Sequence, residues 1–286
     1  MKTHSPTPAA PDETASYAQD GLTAEFYRGR QDAVSDQAVI ILGGSDGNYK
    51  TTQQFAAAFA DHGLNTLALP YYGQPHLPKD LAQIPVETVE TAAGWLHRRG
   101  FTRIGIWGIS MGAQLALLAA SLIPAIGRVA AVSPLDVCVQ GLQVSPRKRL
   151  LDCSAFTWRG QDLPYCPLRM NRRRVWRDSL KSLGLNMRSC YRSVATAAEE
   201  ARIKIENING AILLLTAGYD LMWPAHPSAQ RMMRRLQRKH FAHPYSEQLP
   251  SCRPFPVPRP AAYQETVCRN PSRLCEGTRA QQSGCV

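Results

Sequence analysis

The chain has 286 residues, 44% of them apolar, which is enough for one large core, so a single domain is expected. Its net charge of +11 gathers at residues 147–149, 172–174 and 231–239, as phosphate-attracting clusters or as solvated basic surface. No zinc-ligand spacing, RNA-recognition signature or basic zipper accompanies them, no run approaches 18 apolar residues, and the polar, Pro-rich start lacks a secretory pattern; neither nucleic acid, metal, cofactor, membrane span nor leader is expected, and the eight cysteines read as free thiols of a cytoplasmic protein.

Taken in order, residues 1–20 read as a disordered N-terminus and 22–27 (LTAEFY) as an edge strand. Residues 38–42 (AVIIL) are β-branched, continuously apolar and closed by two glycines, as a strand buried on both faces requires. Helical spacing follows over 51–61, a strand over 65–69, and a helix over 86–99 that runs into Gly100 as a C-terminal cap. A strand at 103–107, a Gly-rich turn, a helix at 113–122 and a strand at 128–133 come next. Periodicity fades over 134–190, as in a pocket-forming excursion, then returns with a helix at 196–202, a strand at 211–217 and a basic helix at 226–238. Short apolar strands alternating with helices predict a mainly parallel sheet covered on both faces.

One motif carries chemistry. Gly108-Ile109-Ser110-Met111-Gly112 follows an apolar strand and opens an apolar helix, the setting of a nucleophile elbow, so an α/β-hydrolase fold with Ser110 as nucleophile is expected. The oxyanion donors would be the backbone amides of Met111 and, from the glycine-rich 43–47 loop, Gly44. In this fold the acid follows a late strand, which points to Asp220 after 211–217.

These residues, with VIILGGSDG, LALPYYG, LPKDLAQIPVE, SAFTWRGQDLPY, IENINGAILLLTAGYD and the WP after it, resemble the C-terminal catalytic domain shared by acyl-CoA thioester hydrolases and bile acid-CoA:amino acid N-acyltransferases. The resemblance covers about residues 20–245. It implies Ser110 as nucleophile, Asp220 as acid and a small-molecule acyl-CoA as substrate. Carboxylester or lactone hydrolysis on the same fold stays open, as does the oligomeric state.

A serine nucleophile needs a neutral imidazole to take its proton. The family's histidine follows the acid by about 30–35 residues within Tyr-Pro-x-Ala-Gly-His, yet the last histidine here is His243, with His240 and His226 before it and His76 earlier still. His243 is the nearest substitute in sequence, although it precedes the expected final strand. Residues 249–259 read LPSCRPFPVPR; one nucleotide on, their codons become TNC CNT CNT GYC GNC CNT TYC CNG TNC CNC GNC, compatible with YPHAGHFLFPG. The expectation is therefore a hydrolase domain at 21–245 with its C-terminal part incomplete, and an irregular tail at 246–286 produced by a frameshift near 245–248. A chain in that state would be catalytically dead or strongly impaired.

Overall fold

The computed structural model describes residues 10–30, 34–144 and 149–249. Among the described residues eight strands form the main sheet: β1 (Glu13–Ala15), β2 (Ala24–Tyr27), β3 (Gln37–Leu42), β4 (Thr66–Ala68), β5 (Arg103–Ile109), β6 (Ile126–Val132), β7 (Ala211–Leu215) and β8 (Tyr245–Gln248). Their spatial order is β1-β2-β4-β3-β5-β6-β7-β8, and all neighbours from β4 to β8 are parallel, whereas β2 runs antiparallel to both of its partners. This mainly parallel sheet with helices on both faces is the expected α/β-hydrolase fold.

Each face is built from the apolar spacing of the sequence. On α1 (Tyr49–Asp61), Thr52, Phe55, Ala56, Phe59 and Ala60 are buried, a helical stripe that packs on Ile41, Trp107 and Ala130. Fully burying a ring such as Phe59 contributes about 2–3 kcal/mol. The opposite face holds α2 (Glu87–His97), α3 (Met111–Leu122) and, following the short turns described below, α5 (Ala225–Arg238). Ten of the twelve α3 residues are buried, because this helix stands between the sheet and the excursion. Gly100 lies just past α2 with φ +90°, where its N–H reaches the His97 carbonyl at 3.0 Å.

Several expectations are corrected here. Residues 13–15 are a strand paired with β2 and Tyr17–Asp20 form a helical turn, so the described part of the first twenty residues is ordered and β2 is not the edge. The final strand is present: β8 pairs with β7 from Tyr245 to Gln248, beyond the expected boundary at 245. The rest of the expected out-of-frame tail, residues 250–286, lies outside the described residues.

The excursion after β6 contains a hairpin of Gln140–Gln143 with Arg149–Ser154, a strand Phe156–Trp158 set beside Ile84–Pro85, and the helix α4 (Arg172–Ser182). The helix expected at 196–202 is instead split into short 3-10 turns. Ala197 and Ala198 are extended because Arg202 is pulled inward onto Asp136 and the Ala197 carbonyl. Two members of the basic cluster on α5 are likewise drawn inside, while Arg234, Arg238 and Lys239 stay exposed: Arg231 forks onto buried Asp136 at 2.7 and 2.8 Å, and Arg235 forks onto Glu206 at 2.6 Å on both arms. Those two arginines lock helix to excursion and are not phosphate-binding surface.

That lock has a pH signature. Hydrogen bonds from Arg235 and Lys204 pull the Glu199 carboxyl down from its usual 4.5 to about 2. Glu206 is also lowered, burial opposing the shift but the Arg235 fork outweighing it. Groups depressed by folding stabilise fully above their unfolded pKa and lose that contribution as pH falls. The melting temperature should therefore drop between about pH 4.5 and 2, and the double variant Glu199→Gln, Glu206→Gln should show a shallower drop across that window.

Candidate active site

Sheet register gathers the site. Leu42 of β3 pairs with Gly108, and one row crosses the sheet through Ile109, Val132, Leu215 and Gln248. The residues just past that row, at the carboxyl edge, are Ser110, Ser133, Thr216 and Leu249. The nucleophile candidate thus lies at the centre of the edge where α/β sheets place their ligands.

Ser110 has φ 57° and ψ −118°, a conformation that costs about 1–3 kcal/mol and survives only where its surroundings enforce it. The enforcement is visible. A Cβ on Gly108 would strike the Gly112 carbonyl, and a Cβ on Gly112 would strike the Gly43 carbonyl. Strand, turn, helix and the 43–44 loop therefore interlock through bare backbone.

Met111 is the first residue of α3, so its amide is among the helix N–H groups that have no carbonyl partner within the helix. Gly44 lies against the nucleophile: a Cβ built on it would be 3.8 Å from the Ser110 Cβ. The two residues expected to supply oxyanion donors are thus both neighbours of Ser110, Met111 in sequence and Gly44 in space. Sequence reasoning did not find Tyr71, whose buried hydroxyl donates to the Gly43 and Gly44 carbonyls at 2.9 and 3.1 Å and fixes the loop; burial pushes its phenol well above the usual range, so it remains a donor.

Asp220 follows β7 and turns back toward β6. Its carboxylate accepts from the Ser133 hydroxyl and from the Met222 amide, the latter at 2.8 Å. Ser133 is held in turn by its own N–H to Leu215 at 2.7 Å, and Trp223 Nε1 donates to its carbonyl at 3.0 Å. The Ser110 N–H bonds to the Val132 carbonyl at 2.9 Å, so a single residue step separates the strand that supports the nucleophile from the serine that holds the acid. Ser133 was not singled out from sequence; a serine ending a buried strand carries no distinctive signal.

The histidines are not brought together with this pair. Among the described residues none hydrogen-bonds to Ser110 or Asp220. His243 precedes β8, five residues before its carboxyl end, which places it roughly 16 Å down the strand from that edge. The expectation that it might replace the base fails on that geometry. His240 follows the far end of α5, its N–H on the Gln237 carbonyl, and His76 is stacked on Tyr17 at 4.5 Å. His226 does reach the carboxyl edge, but its Nδ1 is 2.7 Å from Glu247 Oε1 and its Nε2 is 3.0 Å from Gln230, so both ring nitrogens are engaged. Leu249, by contrast, touches the acid loop: a Cβ on Gly218 would be 3.9 Å from its Cδ1. The chain thus leaves β8 beside Gly218, two residues before Asp220.

A family model described as BAAT / acyl-CoA thioester hydrolase C terminal matches residues 84–248. The chain belongs to that family. The match starts before α2 and ends on the last residue of β8, so it takes in the elbow, Ser133 and Asp220. Acyl-coenzyme A amino acid N-acyltransferase 1 of Mus musculus is 27% identical over 187 residues, 64% of this chain and 40% of that protein. Human acyl-coenzyme A thioesterase 1 is 24% identical over 185 residues, with the same shares. The chain therefore spans about two fifths of the length of these relatives. A dienelactone hydrolase from Anabaena variabilis aligns structurally with a TM-score of 0.47 at 15% identity, over 92% of this chain and 97% of that one.

Proposed function

We propose that this domain is built to hydrolyse acyl thioesters such as acyl-CoA through an acyl-enzyme on Ser110. The observation that carries the reading is the glycine-locked Ser110, flanked by the Gly44 and Met111 amides and linked through Val132 and Ser133 to Asp220. In the first half-reaction the Ser110 oxygen attacks the thioester carbonyl, the amides take the developing oxyanion, and the thiol leaves with the serine proton carried by a base. Water then cleaves the acyl ester, releasing a carboxylic acid and restoring the hydroxyl. The family membership favours a thioester over a carboxylester or lactone.

The base is the missing part. We propose that an imidazole belongs in the segment that leaves β8 at Leu249, and that a shifted reading frame replaces it in this chain; the adjacency of Leu249 to Gly218, in the loop that carries Asp220, supports that placement. Resequencing the locus around codons 240–260 tests the frame directly, and an intact frame with this tail in the expressed protein would end the idea. As it stands, the chain should label slowly with an active-site fluorophosphonate, and only at Ser110. Labelling that persists in Ser110→Ala would remove the serine reading. Thiol release from palmitoyl-CoA, measured beside cleavage of a short nitrophenyl ester, separates thioesterase from carboxylesterase.

A further inference from the structure

The helix α4 presents its apolar side to solvent. Trp176 and Leu180, four residues apart, are 68% and 56% exposed, Leu183 just past the helix end is 89% exposed, and none of the eleven residues of α4 is buried. Arg172, Arg173, Arg177 and Lys181 share this outward face, whereas Val175, Asp178, Ser179 and Ser182 turn toward the body. Among the described residues Arg172 and Arg173 have no ion-pair partner, and the single acid of the helix, Asp178, is 3.9 Å from Arg174 and 3.5 Å from Arg177.

A tryptophan-leucine stripe bordered by cations is the composition of a helix that lies in a membrane interface, its rings at headgroup depth and its cations on lipid phosphates. The strip comes from one helix, and the hollow of about 690 Å³ that Asn171, Arg172, Arg173, Arg174, Trp176 and Arg177 line is walled by that helix alone. A small soluble phosphate compound needs donors converging from several sides, so an extended anionic plane is the better complement. We infer that α4 docks this protein on the surface of an anionic lipid bilayer.

The position suits the substrate class proposed above, although docking itself requires no catalysis. Ser179 Oγ accepts the Asn186 N–H at 2.9 Å, and the Met187 N–H reaches the Leu221 carbonyl, one residue past Asp220, at 2.8 Å. The docking face is thus tied by a few residues of chain to the acid loop at the carboxyl edge. An amphiphile dissolved in the bilayer would be met on the side that holds the nucleophile.

The test uses the whole chain and vesicles of phosphatidylserine and phosphatidylcholine in equal parts, with pure phosphatidylcholine as the reference. Co-sedimentation with the mixed vesicles, reversed by high salt, is expected, together with protection of Trp176 from acrylamide. Trp95, Trp107 and Trp223 are buried and contribute little to that quenching, and the contribution of half-buried Trp158 is subtracted with Trp176→Ala. The triple variant Arg172→Ala, Arg173→Ala, Arg177→Ala should bind roughly a hundredfold more weakly, and Trp176→Ala roughly tenfold, both with an unchanged unfolding temperature. Ser110→Ala should bind like the parent, which keeps a failure of the catalytic reading distinct from a failure of this one. Equal partition of parent and triple variant, equal affinity for an acidic polypeptide such as polyglutamate, or burial of Trp176 by self-association in lipid-free buffer would each overturn the inference.

Discussion

Removing one nucleotide at the boundary of codons 248 and 249, so that the tail begins Tyr-Pro-His-Ala-Gly-His, is expected to raise acyl-CoA hydrolysis by about 10⁴-fold or more. The reason is the asymmetry of the present site. On the reading proposed above, the strained Ser110, the Gly44 and Met111 amides and the Asp220 carboxylate held by Ser133 and the Met222 amide would serve the reaction, while among the described residues no imidazole hydrogen-bonds to Ser110 or Asp220. Loss of the imidazole alone removes nearly the whole contribution of a serine triad, because the three groups act as a unit, and a factor of 10⁴ corresponds to about 5 kcal/mol of transition-state stabilisation. Asp220→Asn in the frame-restored chain should take back most of the gain, whereas in the 286-residue chain it should change the residual rate little. Thiol release from palmitoyl-CoA under single-turnover conditions reads both. A frame-restored, folded protein no faster than the parent would show that the acid loop and the end of β8 do not form the place where a base acts.

The same asymmetry separates what sequence could deliver from what it could not. Around Ser110 the signals are local and agree with each other: a buried apolar strand, glycines where backbone must touch backbone, and an apolar helix, each requiring the others. Asp220 was singled out by chain order, since the acid of this fold follows a late strand, and the structure sets its carboxylate against Ser133 at the end of β6. The means of holding it was not legible, because Ser133 comes from β6 and meets Asp220 only through sheet register. His243 misled for a related reason. Closeness in sequence to the expected loop ignores direction, and parallel strands put a residue that precedes β8 at the opposite edge from one that follows it.

The excursion resisted reading because tertiary contacts override local preference there. The 196–202 segment has helical composition, yet Arg202, Glu199 and Lys204 are each committed to partners that extend the chain into short turns. Helix α4 was hidden by the inverse effect. Its large apolar side chains, Trp176 and Leu180, lie outward among four cations, so the usual link between apolar spacing and burial gives no usable signal, and that mixture of apolar and cationic side chains is what points to a bilayer.

Two glycine-to-alanine substitutions should move stability in opposite directions, and the contrast tests the backbone interlock directly. Gly112→Ala introduces a Cβ into the Gly43 carbonyl and within 2.7 Å of the Leu42 carbonyl, both backbone atoms of β3 and its loop that no rotamer change can relieve. Overpacking of that kind costs about 3 kcal/mol, or a fall in melting temperature of roughly 6–12 °C at this chain length. It should also slow labelling of Ser110, because separating the 43–44 loop from α3 moves the Gly44 amide away from the nucleophile. Gly94, inside α2, meets only the flexible Arg98 guanidinium at 3.6 Å, and its φ is not in the left-handed region. Gly94→Ala should therefore stabilise by up to about 1 kcal/mol through helix propensity alone, with labelling unchanged. If Gly112→Ala melted with the parent, backbone contact between elbow and oxyanion loop would not be what fixes Ser110, and its strained geometry would need another source.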